Sequence, residues 1–240
     1  MLFLRSLLFI ILHIITAVFF SLLGVLLRPF PFKLRYSVIS QWAKLNIWLL
    51  EKICQISFRV EGLDTIPNEP CVILCKHQST WETLALQALF PPQVWVLKRE
   101  LLWIPFFGWG LAALEPIAIN RSAGRQALNQ VITQGKDRLE KGYWIVVFPE
   151  GTRIPVGKMG RFGIGGARLA VDCVCPVVPI THNAGSFWPK HGFIKRPGMI
   201  TMVIGAALST ENLSAVEVNH QVYEWMEKQT AQLENESKRS

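Results

Sequence analysis

The sequence predicts an α/β domain, a central mostly parallel or mixed sheet flanked by helices, with a membrane-associated helical segment at its N-terminus. Three observations carry that expectation. After Pro67 short β-rich runs alternate with helical ones. Ser6 to Leu27 holds 22 residues without a formal charge. Only 18% of the 240 residues are charged while 50% are hydrophobic, against roughly 25% charged in a typical soluble domain. At this length one globular unit plus an added segment is expected, and the composition excludes disorder, collagen-like repeats and a coiled coil.

The elements follow in order. At about 1.5 Å per residue, Ser6 to Leu27 is long enough to cross a hydrocarbon core of roughly 30 Å. His13 is its one ionisable group. The stretch is long for a secretory signal, and no small-x-small cleavage site precedes a polar start. Leu34 to Ser57 interleaves Tyr36, Trp42, Ile47, Trp48 and Ile53 with Lys44, Glu51 and Lys52, as an interfacial helix does. Residues 1–58 therefore read as a membrane anchor, 59–212 as the α/β domain and 213–240 as a C-terminal helix and tail. Residues 1–60 carry seven basic side chains against one acid, Glu51, so six of the net +8 charges lie there. A basic excess beside apolar sequence points to an anionic membrane surface and not to nucleic acid. Arg28, Lys33, Arg35 and Lys44 flank one end of the apolar run and Arg5 alone the other, which places the rest of the chain on the cytoplasmic side of the inner membrane.

Strands are expected at Cys71 to Cys75, Val94 to Lys98, Pro116 to Asn120, Tyr143 to Phe148, Pro176 to Thr181 and Met199 to Ile204. Between the third and fourth, Ser122 reads as the N-cap of a helix with Leu128, Val131, Ile132 and Leu139 on one face, stopped by Gly142. A capping box at Ser214 and Glu217 opens a last helix, with fraying expected beyond Glu234. Five cysteines, an odd number without a C-x-x-C pair, fit a reducing compartment, and no metal-binding pattern occurs.

His77, Lys98, Arg121 and the segment Glu150 to Arg153 each follow an expected strand. In open α/β sheets ligands bind beyond the carboxyl ends of strands, so parallel strands would bring these groups to one cleft. His77 stands five residues before Glu82 at a strand-to-helix turn. An imidazole is the natural general base near neutral pH, and a carboxylate on its second nitrogen fixes the tautomer. The spacing Ser79-x-x-Glu82 equally fits a capping box. In Phe148-Pro149-Glu150-Gly151-Thr152-Arg153 the guanidinium suits a phosphate. Gly157, Gly160, Gly163, Gly165 and Gly166, with Lys158, Arg161 and Arg168, form either a loop that approaches an anion or a solvated turn. A nucleotide P-loop does not fit, because five residues separate Gly151 from Gly157 and Met159 stands where Ser or Thr should be. There is no G-x-S-x-G elbow around Ser79 or Ser186. Trp103, Phe106, Phe107 and Trp109 fit either a core or a face that meets lipid.

In order along the chain these segments resemble the glycerolipid acyltransferases, in particular the bacterial 1-acyl-sn-glycerol-3-phosphate acyltransferases. The four family blocks have counterparts in Lys76 to Glu82, Lys98 to Arg121, Phe148 to Arg153 and Cys175 to Ile180, within roughly residues 60 to 185. The family pattern is usually H-x-x-x-x-D; this chain has Glu82 at the acidic position. The resemblance implies that His77 deprotonates a lysophospholipid hydroxyl while Glu82 orients the ring. It also implies that Arg153, Arg121 and Lys98 hold the acceptor phosphate, with Glu150, Gly151 and Thr152 in the loop beside it. No metal or cofactor is implied, the acyl donor being acyl-coenzyme A or acyl carrier protein and the acceptor lysophosphatidic acid. A different lysolipid acceptor, such as a lyso-ornithine lipid, and a lipid-binding protein without turnover are the alternatives. An acyl-chain tunnel opening toward the membrane is expected.

Overall fold

The computed structural model describes residues 1–237. Alternation of β-branched runs with helices builds one seven-stranded sheet. In chain order the elements are α1 (Leu2–Leu26), α2 (Phe32–Cys54), β1 (Ile56–Glu61), β2 (Val72–Cys75), α3 (Trp81–Leu89), β3 (Gln93–Lys98), α4 (Phe107–Ala113), β4 (Ile117–Ile119), α5 (Arg125–Glu140), β5 (Trp144–Val147), α6 (Gly165–Asp172), β6 (Val177–His182), β7 (Gly198–Ile204) and α7 (Ala215–Ser237). The spatial order is β1-β7-β6-β2-β5-β3-β4. Every pairing is parallel except β6 with β7. The sheet is thus mixed, with β2, β3, β4, β5 and β6 running one way.

Helices cover both sheet faces, so the central strands are continuous apolar runs. Ile73, Val146 and Val178 face Leu50 of α2 and Trp81 and Leu84 of α3. Val72, Leu74, Ile145 and Val177 face Val131 of α5, Leu169 of α6 and Val222 of α7. All six expected strands form, within one or two residues of their expected ends. The sequence reading missed β1. Ile56, Phe58 and Val60 alternate with Ser57, Arg59 and Glu61 at strand period, but the expected helix extends over Ile56 and Ser57 and splits the run. The chain leaves that helix at Gln55, whose left-handed backbone (φ 58°) caps it where glycine is the usual cue.

The expected N-cap of α5 is also corrected. Ser122 sits in a short 3-10 turn, where its amide donates to the Asn120 side chain, and α5 starts after Gly124. The capping box on α7 forms, with the Ser214 amide donating to Glu217 Oε2 at 2.7 Å. That helix continues past Glu234 to Ser237; positions 238–240 lie outside the described residues.

Helix α1 is long and apolar enough to cross a membrane, yet both of its halves are fastened to the domain. Near its start the Ser6 hydroxyl accepts from the Lys195 amide at 2.9 Å and Arg5 donates to Gln55 at 2.6 Å. Further along it meets α4 so closely that a Cβ on Gly110 would lie 2.6 Å from Ser21 Oγ. Its outward face carries Leu4, Leu8, Ile11, Ile15, Phe19, Leu22 and Leu26, all exposed and spaced as one helical stripe. Trp103, Phe106 and Trp109 are exposed as well, on the segment that enters α4. Clusters of exposed large apolar side chains of this kind mark surfaces that meet lipid or a partner.

Candidate active site

Because β2, β5, β3 and β4 are adjacent and parallel, the residues that follow them emerge on one sheet edge. His77 follows β2 in the turn into α3. Its Nδ1 lies 2.8 Å from Glu82 Oε1, and its ring stacks on Phe148 with centroids 3.9 Å apart. The same carboxylate accepts the amides of Gln78 (2.9 Å) and Ser79 (2.8 Å). Cap and histidine partner are therefore simultaneous roles of one side chain. A carboxylate only accepts here, so Nδ1 carries the ring proton and Nε2 is left bare. The histidine side chain is 15% exposed and the glutamate fully buried.

Behind Glu82 stands a second imidazole, fully buried. His182 Nε2 lies 3.0 Å from the Lys76 carbonyl and 3.7 Å from Glu82 Oε2, while its Nδ1 accepts from the Ala184 amide at 3.2 Å. Those partners fix a neutral ring protonated at Nε2. Burial pushes the Glu82 carboxyl up, but the His182 and His77 rings and the Ser79 amide outweigh it and hold it below the usual range.

Glu150 at the end of β5 is spoken for. Its Oε1 accepts from Lys76 Nζ at 2.6 Å and from the Gly160 amide at 3.0 Å, and its Oε2 from the His77 amide at 3.0 Å. Both charged side chains are fully buried. The glycine-rich loop does approach an anion closely, and that anion is the protein's own carboxylate. Gly151 turns the chain next, with φ +67°, a conformation that favours glycine.

Lys98, Arg121 and Arg153 border a cavity of about 300 Å³ together with His77 and Phe148. Arg121 Nη1 donates to the Gly151 carbonyl. Lys98 lies 4.0 Å from Glu100 and is half exposed. The Arg153 guanidinium has no partner among the described residues; only its carbonyl is used, by Lys190 at 3.1 Å. Thr152 is exposed, with its hydroxyl 3.4 Å from Lys190 Nζ. Away from these cations the wall is largely apolar, with Ala17 and Phe20 of α1, Ile39 of α2, Leu111 of α4 and Leu114 just after it, broken by His13, Ser21, Thr80, Thr83 and Gln87.

An imidazole with an orienting carboxylate, beside three cations of which Arg153 has an unpaired guanidinium, and a largely apolar chamber, is an arrangement suited to reacting a hydroxyl on an anionic amphiphile. The family model described as Acyltransferase matches residues 57–183. Over 234 residues the chain is 47% identical to a 1-acyl-sn-glycerol-3-phosphate acyltransferase of Pseudomonas aeruginosa, covering 95% of this chain and 91% of that one.

The chain belongs to the acyltransferase family.

The similarity extends to the 1-acyl-sn-glycerol-3-phosphate acyltransferase of Saccharomyces cerevisiae, 28% identical over 186 residues, 73% of this chain and 60% of the relative. The crystal structure of the 1-acyl-sn-glycerophosphate (LPA) acyltransferase PlsC from Thermotoga maritima has the same fold, with a TM-score of 0.80 across 96% of this chain and 95% of the other at 22% identity.

In this acyltransferase the residues expected at the site come together, with two qualifications. Glu150 faces inward and pins the histidine block to the loop, so its carboxylate is not offered to a phosphate. Thr152 and Gly151 shape the turn and do not border the cavity. The longer glutamate at position 82 reaches the ring at ordinary hydrogen-bond distance. Sequence reasoning missed His182, although it ends β6 and the rule that located His77 applies to it equally. It also missed Lys76 as the partner of Glu150, and His13 as part of the cavity wall.

Proposed function

We propose that this acyltransferase moves a fatty acyl group from a thioester to the free hydroxyl of 1-acyl-sn-glycerol-3-phosphate, giving phosphatidic acid. The observation that carries the reading is the bare Nε2 of His77, oriented through Glu82 and sharing one cavity with Lys98, Arg121 and Arg153. His77 removes the hydroxyl proton as that oxygen attacks the thioester carbonyl carbon. Collapse of the tetrahedral intermediate breaks the carbon–sulfur bond, and the imidazolium returns the proton to the leaving thiolate. Glu82 keeps Nδ1 protonated and stabilises the imidazolium. Arg153 supplies the planar fork for the acceptor phosphate, with Arg121 and Lys98 adding charge, and the apolar wall receives the acyl chain.

The membrane reading rests on α1. A helix of about 37 Å by its rise per residue, held to the domain near both ends, presents its leucine, isoleucine and phenylalanine stripe outward. We place this stripe in one leaflet of the inner membrane, with the domain on the cytoplasmic side, where lysolipid reaches the cavity without passing through water. The donor is acyl-coenzyme A or acyl carrier protein.

Purified protein in phospholipid vesicles, given radiolabelled acyl-coenzyme A or acyl carrier protein, tests this. Label should pass to lysophosphatidic acid in preference to lysolipids without a terminal phosphate. Equal transfer to a lyso-ornithine lipid would move the acceptor assignment, and His77→Ala protein with undiminished transfer would remove the base.

A further inference from the structure

We infer that His13 is a substrate-recognising residue, whose bare ring nitrogen accepts a hydrogen bond from a hydroxyl carried on an acyl chain of the substrate. The inference deepens the acyltransferase reading and rests on it.

An ionisable side chain within an apolar membrane-facing helix is costly there and marks function more often than chance. His13 is the one such residue in the uncharged run of α1. Its Nδ1 lies 2.7 Å from Asn46 Oδ1 on α2, and the amide's orientation can be assigned from its neighbours. Asn46 Nδ2 reaches the Trp42 carbonyl at 2.8 Å and Thr16 Oγ1 at 3.2 Å. A carbonyl only accepts, so the amide nitrogen points to Trp42 and Oδ1 points to His13. The proton of the neutral ring is therefore on Nδ1, and Nε2 carries a lone pair.

The ring is clamped among Phe9, Trp42 and Trp188, so its orientation is fixed. The ring borders the same cavity as His77. No described residue donates to Nε2. A staple between α1 and α2 uses one nitrogen only, and carbon at the other position would suit an apolar wall better. Instead, a ring with one unpaired acceptor borders a chamber whose other α1, α2 and α4 walls are mostly hydrocarbon. A ligand that fills it with plain methylenes leaves that acceptor unpaired; one with a hydroxyl at the right carbon pairs it.

The hydroxyl has two possible carriers, the incoming acyl group and the chain already on the lysolipid. Two assay arms distinguish them: 3-hydroxyacyl against plain acyl thioester with a plain lysolipid, and plain thioester with hydroxyacyl against plain lysolipid. The readout is the ratio of kcat/KM, hydroxylated over plain, for full-length protein in vesicles. We expect a ratio of about tenfold in one arm, the scale of one buried hydrogen bond, falling toward one in His13→Phe, which keeps the aromatic clamp. Moving the hydroxyl along the chain in wild-type protein needs no variant and should give a preference that peaks at one carbon. Ratios near one in both arms, a flat positional series, or a ratio that survives His13→Phe would overturn the inference while leaving the acyltransferase reading in place. No transfer to any acceptor would overturn both.

Discussion

Around His77 most polar atoms other than Nε2 have partners within the protein, whereas the cations on the neighbouring strands face the cavity with few partners. The histidine has Glu82 on one nitrogen, Phe148 under its ring and Glu150 on its amide. Arg153 has no partner for its guanidinium among the described residues, and Lys98 is half exposed. Under the proposed mechanism the difference separates two tasks. A general base works when its geometry is fixed before substrate arrives, so its surroundings are closed and satisfied. A phosphate-holding group works when its donors are still unspent, so it is left open to the ligand.

The largest effect that would test this division is removal of the base. His77→Ala should lower kcat by roughly 10²- to 10⁴-fold, the usual contribution of a positioned acid or base, together with a lower melting temperature, because it unpairs the fully buried Glu82 and empties the face of Phe148. Initial rates alongside thermal unfolding separate the two. A variant that keeps most of its rate would show that the fixed half of the site is scaffolding only.

Next comes the buried pair that joins the two halves. Lys76→Met leaves Glu150 charged and sealed in, and breaking such a pair costs about 3–5 kcal/mol. Urea titration should show that loss, and pairing Lys76→Met with Glu150→Gln should restore part of it, since an amide still accepts from the His77 backbone. Equal stability of Lys76→Met and wild type would mean that the strut does not hold the histidine block.

On the open side the expected change is smaller and falls on binding. Arg153→Ala should raise KM for the phosphate-bearing acceptor by about 10- to 100-fold, the scale of a charge-assisted hydrogen bond, with kcat altered far less. Arg153→Lys should recover only part, as a point charge lacks the fork. Steady-state kinetics with acceptor varied would show it, and a fall in kcat at constant KM would place Arg153 among the fixed groups.

How much of this was legible in the sequence follows the same division. Six strands announced themselves through β-branched runs, and on the condition that they run parallel the sequence brought His77, Lys98, Arg121 and Arg153 to one cleft; the pairings meet that condition. β1 was hidden because Gln55 ends α2 without glycine or proline, so nothing punctuated the change of period. The Lys76–Glu150 pair was illegible for another reason: the partners are 74 positions apart, and a lysine at a strand end reads as solvated until its burial is known. The apolar wall drawn from α1, α2 and α4 likewise arises from packing. Local patterning marked α1, α2, α5 and α7, but neither α4 nor α6, nor that Gly110 would let α4 sit against Ser21.

The smallest effect concerns His182, which belongs to the closed half without bordering the cavity. Burial pushes its ring below the ordinary histidine range despite Glu82 nearby. In the unfolded chain that ring takes up a proton near pH 6.5, while in the folded protein it does not. Below that pH the unfolded state binds more protons, so stability must fall as the solution is acidified, by up to about 1.4 kcal/mol per pH unit until the folded value is reached. Glu82, whose folded value is also depressed, acts in the same direction, but only once the pH drops to the carboxylate range of about 4.3. Between about pH 6.5 and 5 the histidine term is therefore separable from the glutamate one. His182→Gln keeps a donor for the Lys76 carbonyl and an acceptor for the Ala184 amide without a titrating group, so its urea midpoint should change less than that of wild type across this interval. If both proteins lose stability in parallel, the proton is taken up elsewhere, and the buried ring behind Glu82 is not held neutral by its site.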